Sequence, residues 1–222
     1  MAESARSNGS TLAGILMREA RGYLGAFTLA LVITTFLITS LGVAGSSMEP
    51  TLTGGQGRLD ALMHGDRLFV PKYETWLRRL GVMGPYRRGE IIIAREPADS
   101  PLVNGRRVLV VKRVVGLPGD TVEIRAGRVT VNGVRLSETF ITAHGGALGS
   151  ASMAPTVLDD DEYFVLGDNR RNSADSRLYG PIEESSITGR AAGVIFPPRR
   201  DGNWNWRVLT PPETFSALSD AR

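Results

Sequence analysis

The sequence lacks cysteine altogether, and that absence excludes several kinds of chemistry. A chain without thiols forms no disulfide, has no thiolate nucleophile and binds no metal through sulfur, and it is compatible with an exported location. Histidine is nearly absent as well, since His64 and His144 are the only two in 222 residues. We therefore predict neither a metal site nor a bound cofactor.

Lysine is also scarce, because only Lys72 and Lys112 are lysines among the 26 lysine and arginine residues. Arginine does not lose its proton in a protein, whereas a lysine removed from water can have its pKa lowered far enough to act as a base. Lys112 lies within the apolar run 108–115, which disfavours its charged form, while Lys72 lies in a more polar stretch. The alternative for Lys112 is a lysine at a strand end that extends its amine to water.

The basic residues are scattered and not concentrated in one region. The formal net charge is +3 and the pI is about 9.6, but the arginines occur in isolated pairs such as Arg78-Arg79, Arg87-Arg88 and Arg199-Arg200. This distribution favours contact with anionic membrane headgroups over binding to nucleic acid, and we predict no nucleic-acid partner.

Charged residues are missing from one long stretch, residues 22–48. Its apolar centre, 23–42, supplies the roughly 20 residues that a helix needs to cross a bilayer, and Arg18 and Arg21 place its N-terminal end in the cytosol. The predicted divisions are a cytosolic tail over 1–21, a transmembrane anchor over 22–43, an extracytoplasmic catalytic β domain over 44–198 and a C-terminal tail over 199–222. The alternative is a cleavable signal peptide with a site near Ala44, although its apolar core would be shorter, at roughly 7 to 15 residues.

Ser47 follows this stretch within Gly45-Ser46-Ser47-Met48-Glu49-Pro50. A small hydroxyl side chain on a bend constrained by glycine and proline suits a nucleophile. A serine is unreactive at its free pKa, so this function requires a base elsewhere in the chain. The alternative is an ordinary linker between a membrane helix and the domain that follows.

Most of the remaining chain has the residue alternation and turn signals of β structure, so the predicted fold class is mainly β. Strands are expected at 91–94, 108–115, 122–124, 129–131, 163–166 and 189–196, with a turn leading into a strand over 65–73 and turns at Asn104-Gly105 and Asn132-Gly133. The dense polar loop 167–177 is typical of a turn that builds a site, with an ordinary surface loop as the alternative. The aromatic patch around Trp76 is expected either in the membrane interface or in the core.

Four motifs follow one another after the apolar span. They are Ser47-Met48-Glu49-Pro50-Thr51-Leu52, Arg88-Gly89-Glu90-Ile91-Ile92, Val111-Lys112-Arg113-Val114-Val115-Gly116-Leu117-Pro118-Gly119-Asp120, and Gly167-Asp168-Asn169-Arg170 with Ser173, Asp175 and Arg177. Each motif alone is weak, but in this order the chain resembles bacterial type I signal peptidase (leader peptidase) from the anchor to about Pro197. The resemblance implies a signal-peptidase-like β-barrel or sandwich domain with one N-terminal transmembrane helix.

The same resemblance implies a serine–lysine dyad. Ser47 would be the nucleophile, and Lys112 the general base that takes its proton and later protonates the leaving amine. The Ser173 hydroxyl would orient the lysine amine. This assignment agrees with the separate argument from the scarcity of lysine.

Further roles carried by the resemblance concern support and specificity. Asp175 and Arg177 match an ion pair that supports the loop, while Met48, Val110 and Val111 would line small apolar pockets that accept Ala-X-Ala ends. Some members of the family also have a serine two residues before the nucleophile, whose hydroxyl completes the oxyanion hole, but this chain has Gly45 there. The hole would then use the Ser47 backbone N–H and another donor, such as main chain near Gly45, and one such donor is typically worth roughly 3 kcal/mol.

We therefore expect a serine endopeptidase in the plasma membrane, single-pass with its N-terminus in the cytosol, that acts on signal-peptide-bearing precursor proteins. Three alternatives are considered. A peptidase that processes pilus or transfer proteins shares the chemistry, and a self-cleaving serine–lysine repressor would need a DNA-binding segment in place of the anchor. A catalytically silent, membrane-anchored β domain that binds exported partners is the third.

Overall fold

The computed structural model describes residues 3–55, 57–97, 108–141 and 151–218. The chain divides into two units, one ending at Thr39 and one beginning at Ser40. The expected turn at Asn104-Gly105 and the second histidine, His144, lie outside the described residues.

The first unit is a long helix. Helix α1 (Glu3–Val32) continues into a π-helical turn, Ile33–Leu37. Its apolar part, Gly14–Leu37, has 24 residues and is therefore long enough to cross a bilayer. None of these residues is buried against the rest of the described chain. The predicted anchor, 22–43, differs from this helix at both ends, because the helix begins earlier and residues 38–42 form strand β1 (Ile38–Gly42). The β-branched side chains of Ile38 and Thr39 favour extended backbone there.

The second unit is mainly β, which confirms the predicted fold class. Its remaining strands are β2 (Arg67–Pro71), β3 (Ile91–Arg95), β4 (Leu109–Gly116), β5 (Thr121–Arg125), β6 (Arg128–Val131), β7 (Val134–Arg135), β8 (Met153–Val157), β9 (Glu162–Leu166), β10 (Ile182–Glu183), β11 (Ile187–Arg190), β12 (Gly193–Phe196), β13 (Arg199–Arg200), β14 (Asn203–Trp204) and β15 (Arg207–Val208). The helices are α2 (Arg58–Met63), α3 (Lys72–Arg79) and α4 (Ser176–Tyr179), with 3-10 turns at Glu184–Ser186 and Glu213–Leu218.

These strands form three larger sheets and one two-stranded ribbon within the described residues. A five-stranded sheet has the order β10-β9-β4-β3-β11, and the two four-stranded sheets have the orders β1-β2-β12-β15 and β7-β6-β5-β8. Strand β4 is central, since it pairs antiparallel with β3 through Ile92↔Lys112 and with β9 through Arg113↔Leu166. The lysine singled out from the sequence therefore lies in the middle of a sheet.

Apolar clusters cover β4 on both faces. Val114 and Val115 are successive residues that point to opposite faces, and both are fully buried in different clusters. Burying a side chain of this size stabilises the fold by roughly 1.5–3 kcal/mol. A lysine in the same strand is consequently surrounded by apolar side chains and held away from water.

Several local predictions are confirmed and two are wrong. The Asn132-Gly133 turn has φ values of 52° and 79° and joins β6 to β7 as a two-residue hairpin. The single strand predicted at 189–196 is instead two strands, β11 in the five-stranded sheet and β12 beside β2, because the chain crosses between sheets at Ala191-Ala192. The strand predicted over 65–73 ends at Pro71, where α3 begins with Lys72.

The segment after residue 198, predicted as a tail, packs onto the β unit. Phe215 and Leu218 are 4% and 1% exposed and belong to the cluster around β5 and β6. Arg200 and Arg207 form ion pairs with the fully buried carboxylate of Asp66. Apolar burial and a buried carboxylate that requires partners hold this segment in place.

Candidate active site

Ser47 lies in a turn that directly follows β1. The Glu49 N–H donates to the Ser46 carbonyl at 3.1 Å and the Leu52 N–H donates to the Met48 carbonyl at 2.9 Å. Met48 and Leu52 are 1% and 0% exposed, so their side chains fasten the turn to the core. Ser47 itself is half-buried between these anchors. The two buried side chains thus fix the position of the Ser47 hydroxyl near the surface.

Gly45 begins this turn with φ of 76°, a left-handed conformation that favours glycine. Its N–H donates to the Gly55 carbonyl at 3.0 Å. The main-chain N–H of Gly45 is therefore engaged within the fold. The Ser47 N–H, by contrast, donates to no group in the described part of the chain.

The structure brings Lys112 and Ser47 together, 65 residues apart in sequence. The Lys112 Nζ donates to Ser47 Oγ at 3.0 Å and to the Val111 carbonyl at 3.1 Å. Lys112 is only 5% exposed. It forms no ion pair with any described residue. The amine is thus buried without a paired carboxylate among the described residues.

Burial sets the protonation of this lysine. Loss of water lowers the pKa of Lys112 below its ordinary value of 10.5, and the negative charge of Asp175 opposes this effect without cancelling it. A neutral amine 3.0 Å from a hydroxyl can accept the hydroxyl proton and activate the oxygen as a nucleophile. Lys72 lies instead at the first residue of α3 and is half-buried.

Ser173 also reaches this region, but by a different contact from the expected one. Its Oγ is buried and has no hydrogen-bond partner in the described residues. A Cβ added at Gly167 would lie 2.1 Å from Ser173 Oγ and 2.6 Å from the Ser47 carbonyl oxygen. Glycine at 167 therefore lets the Ser173 side chain and the Ser47 backbone approach from the same side. The predicted orientation of the lysine amine by Ser173 is not seen as a hydrogen bond.

Asp175 and Arg177 form an ion pair, with the carboxylate buried and the guanidinium half-buried, that shapes the loop after β9. The Arg177 Nε donates to Asp175 Oδ1 at 2.7 Å, and the Gly167 N–H donates to Asp175 Oδ2 at 3.0 Å. Asp175 is fully buried and also caps α4 by accepting from the Arg177 N–H. These contacts fix the two ends of the loop relative to each other.

The three residues predicted to line pockets occupy different positions. Met48 is 1% exposed and lies in the apolar cluster of β2 and β3, so it is a core residue. Val111 is partly buried against that same cluster, whereas Val110 packs against the cluster on the other face of β4. Successive side chains of a strand point to opposite faces, so the two valines cannot line one pocket.

An ionic network next to the dyad is absent from the sequence-based assignment. The Arg113 guanidinium donates through Nε and one NH2 to the two carboxylate oxygens of Asp168 at 2.8 and 2.6 Å. The Thr51 hydroxyl donates to the same carboxylate at 2.5 Å. Arg113, Asp168 and Thr51 each lie close in sequence to a predicted site residue. Only the tertiary structure shows that the three side chains contact one another. The network links β4, the loop after β9 and the turn that contains Ser47 and Thr51, called below the nucleophile turn because Ser47 is the proposed nucleophile.

The second missed contact joins the same loop to the residue before the nucleophile. Asn172 Nδ2 donates to Ser46 Oγ at 2.6 Å, and the Asn169 N–H donates to the Ser47 carbonyl at 3.0 Å.

The first histidine, His64, is exposed at the end of α2 and contacts Asp60. No described group of three or more His, Asp or Glu side chains converges in a way that would hold a metal ion.

Comparison with known proteins finds similar sequences and a similar structure. A family model described as signal peptidase, peptidase S26, matches residues 16–196. The chain is 36% identical over 177 residues to a probable signal peptidase I-2 from Synechocystis, covering 80% of this chain and 72% of that protein. It is 33% identical over 185 residues to a signal peptidase I from Bacillus amyloliquefaciens, covering 80% and 86%. A crystal structure of a signal peptidase I from Enterococcus faecalis matches 49% of this chain and 97% of that one, with 30% identity and a TM-score of 0.38.

Proposed function

Because the chain belongs to the signal peptidase family, peptidase S26, and is a serine endopeptidase that cleaves signal peptides, we propose that Ser47 is its nucleophile and Lys112 its general base. The observation that carries this proposal is the 3.0 Å contact between a buried lysine amine and a serine hydroxyl. Apart from the Val111 carbonyl, which accepts from the same amine, neither side chain has a further hydrogen bond or ion pair with any residue in the described part of the chain.

In the first step, Ser47 Oγ attacks the carbonyl carbon of the scissile peptide bond. The neutral Lys112 amine takes the hydroxyl proton, and the carbonyl electron pair moves onto oxygen. The Ser47 N–H stabilises this oxyanion, because it is unengaged and belongs to the attacking residue. The intermediate then returns the electron pair, the carbon–nitrogen bond breaks, and the Lys112 ammonium protonates the leaving amine.

In the second step, water attacks the acyl group held on Ser47. Lys112, again neutral, takes a proton from the water and passes it to Ser47 Oγ as the acyl–oxygen bond breaks, which restores the resting site. The signal peptide leaves as a carboxylic acid, which ionises by releasing its proton to water. The Ser173 hydroxyl, buried without a partner, is free to accept from the amine when the ammonium rotates away from Ser47.

We extend the proposal to substrate choice and location. Precursors with small residues in an Ala-X-Ala pattern would fit beside the nucleophile, with Val111 next to Lys112 limiting the space. The segment Gly14–Leu37 would anchor the chain in the plasma membrane, with the arginine-flanked N-terminus in the cytosol. The substrates would then be precursor proteins emerging on the outer face.

The decisive experiment compares two site variants with a matched control. Ser47→Ala and Lys112→Arg are each expected to abolish cleavage of a precursor ending in Ala-X-Ala, because one lacks the nucleophile and the other cannot become neutral. Lys72→Arg alters the other lysine in the chain and should keep wild-type turnover. Mass spectrometry of the products reports both activity and the scissile bond.

Turnover by Lys112→Arg at the wild-type rate would exclude the lysine as the base. A protein that only binds exported partners would be unaffected by either site variant. A peptidase for pilus or transfer proteins would cleave its own precursors but leave the general signal-peptide substrate intact.

A further inference from the structure

The oxyanion hole implied by the proposed function has one identified donor, the Ser47 N–H, and the source of a second donor is a separate question. Gly45 does not supply it. The Gly45 N–H is bound to the Gly55 carbonyl, and the Gly45 carbonyl packs so closely on Gly54 that a Cβ there would lie 1.8 Å from its oxygen. The Gly45 N–H is thus already used by Gly55, and the donor has to come from another residue.

Ser46 is the residue that presents an unused proton. Its Oγ accepts a hydrogen bond from Asn172 Nδ2 at 2.6 Å, so the contact uses a lone pair of the hydroxyl and not its hydrogen. The Ser46 hydroxyl donates to no group in the part of the chain that the structure describes. An oxygen that accepts one hydrogen bond becomes a better donor through its own hydrogen.

Covalent connectivity places this proton beside the first donor. The peptide unit that carries the Ser47 N–H starts at the Ser46 Cα, so the Ser46 hydroxyl stays within about 4 Å of that nitrogen. The two donors can therefore point at one oxygen atom bonded to the carbon that Ser47 attacks.

The loop after β9 holds both donors in place. The Asn169 N–H binds the Ser47 carbonyl at 3.0 Å, and the Asn172 N–H binds the Asn169 carbonyl at 3.0 Å. The Glu49 N–H fixes the Ser46 carbonyl from within the turn. Donors fixed before the reaction need no reorganisation when the negative charge forms, which is the condition for effective stabilisation.

We propose that the Ser46 hydroxyl is the second oxyanion donor and that Asn172 is the positioning residue that turns the hydroxyl proton toward the substrate. The inference rests on the proposed function, because it requires attack by Ser47 on a carbonyl. It assigns the task to the residue immediately before the nucleophile, whereas Gly45 two residues before it lacks a side chain.

The first measurement is the single-turnover rate of precursor cleavage by the full-length protein in lipid vesicles. Ser46→Ala should lower this rate about a hundredfold or more and leave KM nearly unchanged, since the lost contact forms only in the transition state. Affinity for a peptide aldehyde, which forms a tetrahedral adduct with Ser47, should fall by a similar factor. Ser46→Thr keeps the hydroxyl and should keep most of the rate. The matched control is Ser185→Ala, which removes an exposed hydroxyl that binds Glu183.

Asn172→Asp separates the proposed role from simple fastening of the turn. An aspartate only accepts, so it would draw the Ser46 proton away from the substrate while keeping the contact. The rate should then fall about as far as in Ser46→Ala, measured on the high-pH plateau where added charge no longer affects the protonation of Lys112. Asn172→Ala should have a smaller effect that disappears in the Ser46→Ala background.

Three results would overturn the inference. They are a wild-type rate in Ser46→Ala, a wild-type rate in Asn172→Asp, or an Asn172→Ala loss that persists when Ser46 is alanine. The proposed function has a separate criterion, because it fails if Ser47→Ala or Lys112→Arg still cleaves at the wild-type rate, or if the wild type does not cleave. Thermal unfolding of each variant identifies any loss of fold, and Ser46→Thr and Asn172→Asp still test the proposal if Ser46→Ala is unstable.

Discussion

Lys112 is buried in a strand covered on both faces, and this burial lowers its pKa from the ordinary 10.5. In the unfolded chain the amine keeps its proton up to that ordinary value, whereas in the folded chain it loses the proton at lower pH. Below the folded pKa both states are protonated, and folding bears the full cost of burying a charge. Between the two pKa values only the unfolded state binds the proton, so stability rises with pH. The neutral amine, which the proposed mechanism requires, is also the state that burial favours.

Replacing this amine should therefore stabilise the protein and remove its activity. Lys112→Met, which fills a similar volume without charge, is expected to raise the free energy of unfolding at neutral pH by about 1 kcal/mol. It should also flatten the rise of stability at alkaline pH. Urea unfolding at a series of pH values measures both effects, and a variant less stable than the wild type would contradict the argument.

In the wild type, cleavage should increase as the pH rises through the pKa of Lys112 and fall in acid.

At the scale of elements, the site depends on three segments that meet at one carboxylate. Asp168, 1% exposed, accepts from Arg113 of β4 and from Thr51 of the nucleophile turn, while Arg113 also donates to the Gly89 carbonyl at 2.7 Å. Arg113 is 2% exposed and follows Lys112 directly, so any shift of this pair moves Lys112, the proposed base. The pair therefore couples folding of the sheet to the geometry of the proposed dyad.

Removing one partner of this pair should be costly, because it leaves a buried charge without compensation. Asp168→Asn is expected to lower the free energy of unfolding by about 3–5 kcal/mol. The control is Glu123→Gln, which breaks an ion pair with Arg125, whose side chain is 79% exposed. Exposed pairs contribute up to about 1 kcal/mol. Denaturant unfolding of both variants tests the difference, and losses of equal size would show that burial of the Asp168 pair does not matter.

At the scale of the whole molecule, the proposed orientation can be tested because the chain contains no cysteine. Single substitutions provide unique labelling sites without background. Ser185→Cys, in the β unit, should react with a membrane-impermeant maleimide on intact cells, whereas Ser7→Cys, on the N-terminal side of the apolar segment Gly14–Leu37, should react only after lysis. The opposite labelling pattern would reverse the orientation. Labelling of both residues on intact cells would exclude a single span.

Short-range features explain why much of this architecture is predictable from the order of residues. An uncharged apolar run long enough for a bilayer, a β-prone run such as Val108 to Val115, and the Asn132-Gly133 hairpin each depend on neighbours within a few positions. The rarity of lysine singled out Lys112 for a similar reason, since its apolar neighbours in the strand already indicate desolvation. The ordered motifs around Ser47 added the family resemblance.

Other features depended on contacts between distant segments, which sequence periodicity does not encode. Met48 became a core residue because the turn folds onto β2 and β3, and the segment after residue 198 became part of the domain because Asp66 and the cluster around β5 need its side chains. The same holds for the Asn172–Ser46 contact, whose residues are separated by 126 positions. Local residue order was enough to predict the apolar helix, the strands and Lys112 as the candidate base, because these follow from hydrophobicity and backbone preference. Only tertiary packing decided which hydroxyl faces the amine and which donors surround it, because those depend on how separate strands and loops are pressed together around β4.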